Sequence, residues 1–148
     1  MKLKSALKRK GHLIKECDFF QKKLNEYNSV PKEDAKTRSY DPRESLSNWL
    51  QKVDELIELK YQIQRANIPI FKKIVRMAEL KGVVKSLAAL DCYAGSGRNN
   101  GEYYRRDSTY ESVISVKERD QLIKKLEKEI ATIQDEVDDF NLTTQIVL

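Results

Sequence analysis

The chain has 148 residues, of which 34% are charged and 40% hydrophobic, and its formal net charge is +5 at pH 7. This length fits one typical domain, so we expect a single helical domain over residues 1–148. The longest apolar stretch, near residues 87–90, is far shorter than the roughly 20 residues of a membrane-spanning helix. No hydrophobic signal region follows the basic N-terminus. We therefore predict a cytoplasmic protein without a membrane span.

The first predicted helix, residues 2–28, repeats apolar residues in a seven-residue pattern. Leu3, Lys10, Cys17 and Leu24 alternate with Ala6, Leu13, Phe20 and Tyr27. Such a stripe faces one direction only in a helix that lies along another helix. Pro31 ends the helix, and residues 31–40 have no apolar period. We expect these residues to form a solvated connector that reverses the chain.

The second predicted helix, residues 42–66, has a strong start signal, because Asp41 can cap it, Pro42 suits the first helical position and Glu44 can complete the cap. Its predicted stripe alternates Leu46, Val53 and Lys60 with Trp49, Leu56 and Ile63. Pro69 is expected to hold Ile68 in an extended conformation and to break the helical axis there.

The third predicted helix, residues 69–93, carries apolar residues over a wider face than its neighbours, so we expect it to be the most buried helix. Residues 94–115 then form either a loop or a short β-hairpin. In the hairpin, residues 102–106 would pair with residues 109–114, where Tyr, Val and Ile favour strands.

The fourth predicted helix, residues 116–140, follows a capping box formed by Ser115 and Glu118. Its stripe alternates Val116, Ile123, Ile130 and Val137 with Arg119, Leu126, Ile133 and Phe140. The four elements predict an all-α fold, an antiparallel four-helix bundle made of coiled-coil hairpins, with a possible short β-hairpin between the third and fourth helices.

The charges at two helix ends suggest how the helices are arranged. Lysines crowd the start of the first helix, and four carboxylates, Asp135, Glu136, Asp138 and Asp139, crowd the end of the fourth. Both placements oppose the helix dipole and need compensation. If these helices are antiparallel, the two ends meet and neutralise each other, within one chain or across a dimer.

We therefore predict a homo-oligomer. Polar residues at Lys10, Lys60 and Arg119 interrupt the stripes, and they either fix register or extend their charged ends to the edge. The residues predicted to form the helix-packing or oligomer core are Leu3, Leu13, Phe20, Leu24, Trp49, Val53, Leu56, Ile123, Leu126, Ile130, Ile133 and Val137.

No catalytic pattern is present in the sequence. His12 is the single histidine, and the sequence identifies no partner that would orient it as a catalytic base. Gly95, Gly97 and Gly101 follow no predicted strand and precede no Gly-Lys-Ser/Thr, so they do not form a phosphate-binding loop. We predict no enzyme activity, no metal, no cofactor and no small-molecule substrate.

A nucleic-acid interface is a second hypothesis. Its candidate contacts are the basic and aromatic residues Arg98, Tyr103, Tyr104, Arg105 and Arg106 of the loop and Lys72, Lys73 and Arg76 of the third helix. Such groups stack on bases and neutralise phosphates. Acidic residues in the same loop leave residues 94–116 without net charge, which weakens the hypothesis.

The order of these motifs resembles the septicolysin-like family, small bacterial proteins whose domain has no established function. The resemblance rests on the start Met1-Lys2-Leu3, a helical hairpin that ends at Asn67, the segment from Tyr104-Arg105 to Val116, and the closing Asn141-x-Thr143-Thr144. Leu142 stands where the family pattern has tryptophan, and the insertion over residues 95–101 is longer than usual. The family name implies a pore-forming cytolysin, and no catalytic residues transfer.

From the residues, the leading hypothesis is a non-enzymatic, self-associating helical scaffold or adaptor. The alternatives are a module that binds RNA or DNA backbones, similar to the coiled-coil arm of seryl-tRNA synthetase, and the pore-forming role that the resemblance implies.

Overall fold

The computed structural model describes residues 1–96 and 108–147, and it confirms the all-α fold class. The four α-helices are α1 (Leu3–Tyr27), α2 (Pro42–Asn67), α3 (Phe71–Ala88) and α4 (Val116–Thr143). Two short 3₁₀ helices, Lys32–Thr37 and Ile68–Ile70, connect α1 to α2 and α2 to α3. Two strands of two residues each, β1 (Gly95–Ser96) and β2 (Thr109–Tyr110), pair antiparallel.

The chain divides into two compact units. Unit 1 consists of Met1–Ile70 and Asp138–Leu148, and unit 2 consists of Phe71–Val137. Unit 1 is therefore built from two separate stretches of sequence, and α4 contributes residues to both units.

In unit 1, α1 and α2 pack against each other as an antiparallel hairpin. Glu16 of α1 pairs with Lys52 of α2 at 3.5 Å, and Arg9, earlier in α1, pairs with Glu55, later in α2, at 3.6 Å. The opposite order of the partners shows the opposite directions of the helices. Lys52 lies between the two acidic groups, since it also donates to Glu55 at 3.0 Å.

The side chains at the predicted heptad positions of α1 are buried or half-buried in the structure. Leu3, Ala6, Leu13 and Cys17 are buried, and Lys10, Phe20, Leu24 and Tyr27 are half-buried. The core of unit 1 is formed by Leu3, Ala6, Leu13, Leu59, Ile63 and Ile146, with Leu7, Leu56, Ala66 and Phe140 packed against it. A regular period on a helix with one apolar stripe thus predicted its buried face.

Two of the six positions in the predicted stripe of α2 are wrong. Leu46 and Lys60 are exposed, whereas Leu59, which the predicted stripe omitted, is only 2% exposed. The covered positions repeat from Ser45 through Leu59 to Ile70 at spacings of three and four. The prediction failed because α2 carries two apolar stripes, and the period alone does not tell which of them faces α1.

The ends of α2 follow local chemistry. The side chain of Asp41 accepts a hydrogen bond from the backbone N–H of Arg43 at 2.8 Å, as predicted for an N-cap. At the other end the predicted extended break does not occur. Ile68 has helical angles, φ −49° and ψ −47°, and its N–H donates to the carbonyl of Arg65. The connector before Asp41, expected to be irregular, contains the 3₁₀ helix Lys32–Thr37.

The start of α1 and the segment after α4 are joined by backbone hydrogen bonds. The N–H of Leu3 donates to the carbonyl of Thr144 at 2.9 Å, and the N–H of Ile146 donates to the carbonyl of Met1 at 2.8 Å. Lys2 and Gln145 form the isolated bridge between these bonds. The start of α1 and the segment after α4 are therefore held together, and Ile146 enters the core of unit 1. That the charges of the two helix ends neutralise each other stays a prediction.

In unit 2, α3 and α4 run in opposite directions and are joined by polar contacts. Lys73 pairs with Glu136, and Arg76 pairs with Glu129 at 2.6 Å. Just after the end of α3, the carbonyl of Leu90 accepts a hydrogen bond from the guanidinium of Arg119 at 3.3 Å. On α4, Ile133 and Val137 are buried, and the N–H of Glu118 donates to Ser115 Oγ at 3.1 Å, as the predicted capping box requires.

The prediction that the third helix is the most buried is wrong. None of the residues of α3 is buried, and Phe71 is 51% exposed. Its apolar side chains are spread around the helix, so that only the stripe Ile74, Met77, Leu80, Val84 and Leu87 is half-covered. A wide apolar face does not by itself imply burial when the helix has few neighbours.

The predicted end of α3 is also corrected. The helix ends at Ala88, before the expected residue 93, because Ala89 and Leu90 donate to carbonyls three residues back and Asp91 then accepts from the N–H of Tyr93 at 3.0 Å. In the described residues, strand β2 pairs with Gly95–Ser96. Residues 102–106 lie outside the described part of the chain.

Candidate functional site

One face of α2 presents large apolar side chains to solvent. We name this surface the α2 seam and define it by five exposed residues, Leu46, Leu50, Ile57, Tyr61 and Ile68. Ile57 is 59% exposed and Ile68 is 69% exposed, values that are typical of surface lysines more than of isoleucines. Exposed apolar side chains that gather on one face of a helix can mark an interaction site in a soluble protein.

The α2 seam follows an eleven-residue repeat. Leu46, Ile57 and Ile68 are eleven residues apart, and so are Leu50 and Tyr61. Eleven residues make almost three full turns of an α-helix, so these side chains remain on one face of a nearly straight helix. Val53, which is half-buried, lies in the same row. The seam is about 33 Å long, since each residue adds about 1.5 Å.

The α2 seam and the face that packs on α1 point away from each other. Ile57 and Leu59 are two residues apart, so their side chains diverge by about 200° around the helix. Leu59 lies in the core of unit 1 with Ile63, whereas Ile57 lies in the seam. The helix therefore uses one apolar stripe inside its own hairpin and leaves the second stripe without cover.

Charged residues border the seam. Asp54 and Arg65 lie on the same side of it, eleven residues apart, and both are exposed. The guanidinium of Arg65 lies 5.7 Å from the ring centre of Tyr61, within range of a cation–π interaction. Lys60 borders the opposite side.

Most residues predicted as an oligomer core pack inside the chain. Leu3, Leu13, Ile133 and Val137 are buried, and the remaining ones, Phe20, Leu24, Trp49, Val53, Leu56, Ile123, Leu126 and Ile130, are half-buried. The exposed seam residues Leu50, Ile57, Tyr61 and Ile68 were not among the predicted residues. Their eleven-residue spacing was the signal that could have identified them.

The predicted nucleic-acid contacts are only partly brought together. Lys72 is exposed on α3, but the cationic groups of Lys73 and Arg76 are engaged by Glu136 and Glu129. The hydrogen bond to Glu129 raises the pKa of Arg76. The loop candidates Arg98, Tyr103, Tyr104, Arg105 and Arg106 lie outside the described residues.

An aromatic cluster surrounds Lys23 where α1 approaches the connector. Its ammonium lies 4.9 Å from the ring centre of Tyr40 and 5.7 Å from those of Phe19 and Tyr27. Lys23 also donates to Glu26 at 2.9 Å, and this hydrogen bond raises the pKa of Lys23 and lowers that of Glu26. The cluster therefore stabilises the turn between α1 and α2 with an internal cation.

His12 lies on the exposed side of α1, beside an open groove of about 360 Å³. Besides His12, the groove is lined by Lys15, Glu16, Phe19, Phe20 and Lys52. The carboxylate of Glu16 is paired with Lys52 across the hairpin. In residues 1–96 and 108–147, no group of three or more His, Cys, Asp or Glu side chains is arranged to hold a metal ion.

No helix in the described ranges combines the length and apolar character needed to cross a membrane. Comparisons of the chain with protein-family models, with curated proteins and with solved structures find no match. Among the surfaces of the described residues, the α2 seam is the most distinctive.

Proposed function

We propose that this protein is a non-enzymatic helical scaffold or adaptor that self-associates, with the α2 seam of one copy packed on the α2 seam of a second copy. The observation that carries the proposal is the exposure of five large apolar side chains in one row on a helix whose other apolar stripe is already used. Burial of apolar area is the main favourable contribution to association.

A second copy is the occupant that the seam itself favours. Leu50 and Ile68 lie at equal distances on either side of residue 59, and so do Ile57 and Tyr61. A two-fold symmetric interface requires one patch to contact the same patch of the partner, and these two pairs would face each other in an antiparallel arrangement. Association by this route needs no further chain and no ligand.

The proposal is tested by sedimentation equilibrium and by light scattering after size exclusion, over a wide range of protein concentration. The wild-type chain is expected to shift from monomer to dimer as concentration rises, and the shift persists at high salt because it depends on apolar burial. In the variant Ile57→Lys, the dimer should be lost, since a lysine would bring its charge into the contact.

The matched control is Ile14→Lys, which places the same charge on an exposed isoleucine of α1, the helix that packs on the opposite face of α2. This control should dimerise like the wild type. A wild-type chain that is monomeric at every concentration would refute the proposal, and so would equal loss of the dimer in both variants.

The alternatives from the sequence stay predictions, and the same samples address them. Lys73 and Arg76 already have acidic partners, which argues against a free basic surface on that part of α3. Salt-sensitive binding of mixed RNA or DNA that disappears when Lys72, Lys73 and Arg76 are changed to Gln would favour a nucleic-acid role. Release of dye from liposomes would favour membrane insertion.

A further inference from the structure

The α2 seam allows two directions of pairing between copies, and its borders distinguish them. In an antiparallel pair centred on residue 59, Leu50 faces the partner's Ile68, and Ile57 faces the partner's Tyr61. In a parallel pair each seam residue lies at the same height along the axis as the same residue of the partner. Both directions bury the apolar row, so the choice depends on the charged residues beside it.

Asp54 and Arg65 decide the direction. They lie on the same side of the seam, because eleven residues bring the helix round by almost three full turns. In an antiparallel pair related by a two-fold axis, each side of one helix meets the same side of its partner. Asp54 is five residues before residue 59 and Arg65 is six residues after it. Along the helix axis, the carboxylate of one copy thus lies within about one residue of the other copy's guanidinium.

We propose that two copies of this chain pair antiparallel through the α2 seam, with Asp54 of each copy beside the partner's Arg65. This inference rests on the proposed self-association and specifies its geometry. The symmetry forms the contact twice. Lys60 lies on the other side of the seam near the two-fold axis, where its long side chain extends the ammonium into solvent.

Parallel pairing would not form this contact. In a parallel pair the two-fold axis runs along the helices, so opposite sides of the seam meet and Asp54 would face the side of the partner that carries Lys60. The partner's Arg65 would lie on the far side, about 16 Å further along the axis. The same distance separates Asp54 from Arg65 within one chain, so the two side chains do not pair there. An interaction between these positions therefore reports on antiparallel association between copies.

The test uses the two full-length charge-reversal variants Asp54→Arg and Arg65→Asp, separately and mixed. Each variant alone should self-associate roughly tenfold more weakly than the wild type, because like charges then meet at both symmetric contacts. An equimolar mixture should associate about as well as the wild type, because each arginine at position 54 or 65 then faces an aspartate. Far-ultraviolet circular dichroism checks that each variant is folded.

A control mixture combines Glu127→Arg with Lys125→Asp, which change the net charge equally at exposed positions of α4. Recovery that is specific to the seam mixture and disappears in high salt supports the antiparallel pair. A wild-type dimer whose seam variants associate normally, or whose control mixture behaves like the seam mixture, overturns the inference but leaves self-association intact. A wild-type monomer overturns the proposed function itself.

Discussion

Two neighbouring residues of α2 provide a direct test of how this helix divides its apolar side chains. Leu59 is 2% exposed within the hairpin core, and Ile57, one half-turn away, is 59% exposed in the α2 seam. Truncation of each residue to alanine should therefore affect a different property. Leu59→Ala should reduce the free energy of unfolding, whereas Ile57→Ala should weaken the dimer.

The expected sizes follow from the burial of each side chain. Removal of a buried leucine side chain costs about 2–5 kcal/mol, including the cavity that remains. Ile57→Ala removes three carbon atoms, worth about 2.4 kcal/mol when fully buried. Because the exposed share is 59%, about 1.4 kcal/mol is available to the interface from each copy. Two copies contribute about 2.8 kcal/mol, which corresponds to a roughly hundredfold higher Kd.

The assay separates folding from association. Urea unfolding is followed by circular dichroism at a concentration low enough for the chain to be monomeric, because dimer formation would otherwise add to the apparent stability. The Kd is measured independently by sedimentation equilibrium. In the unfolding assay, Ile57→Ala should lose only about 1 kcal/mol, because about 41% of the side chain is already covered in the monomer. If Ile57→Ala instead destabilised the monomer as much as Leu59→Ala, the division of α2 into a core face and a seam would be refuted.

Three further predictions concern unit 1. Asp41→Ala removes the side chain that caps α2 and should lower the free energy of unfolding by about 1 kcal/mol. In the same urea titration, Asp41→Asn should lower the free energy of unfolding much less, because asparagine also caps helices. Ala6→Leu inserts a large side chain at a position with no exposed surface and should cost about 1–3 kcal/mol, and an unchanged midpoint would show that the core has unfilled space. Burial raises the pKa of the Cys17 thiol, with the neighbouring Asp18 and Glu16 acting in the same direction. The folded state thus favours the neutral thiol, and this preference contributes to the free energy of unfolding. The contribution is complete below the unfolded pKa of about 8.5 and is lost as the pH rises through the higher folded pKa. The stability of the wild type should therefore fall faster above this pH than that of Cys17→Ala, and a parallel pH dependence of the two would contradict the assignment.

Period and capping chemistry were sufficient for part of the fold. The stripe of α1, from Leu3 to Tyr27, was predictable because this helix has a single apolar face that must be covered. The starts of α2 and α4 were predictable because Asp41 and Ser115 satisfy backbone N–H groups that no other local group reaches. These features depend on interactions within a few residues.

The candidate site was less accessible to sequence reasoning. On α2, Leu46 and Leu59 both fit apolar periods, and only the position of α1 decides which one is buried. On α3, apolar content predicted burial, yet Phe71 is exposed because coverage depends on neighbours that the local sequence does not specify. The seam is the stripe that remains after intramolecular packing, so it became identifiable only when that packing was known.

The hydrogen bonds between residues 1–3 and residues 144–146 also have a consequence for how the chain acquires its structure. Ile146 and Phe140 pack with Leu3 in unit 1, although the whole of unit 2 lies between them in sequence. During synthesis the α1–α2 hairpin emerges first, but its core stays incomplete until the ribosome has released the end of α4. Contacts of such high sequence separation slow folding, because a long loop must close before they form. A nascent chain that is stalled before residue 138 should therefore expose the part of the core, including Leu3, that Phe140 and Ile146 cover in the folded protein.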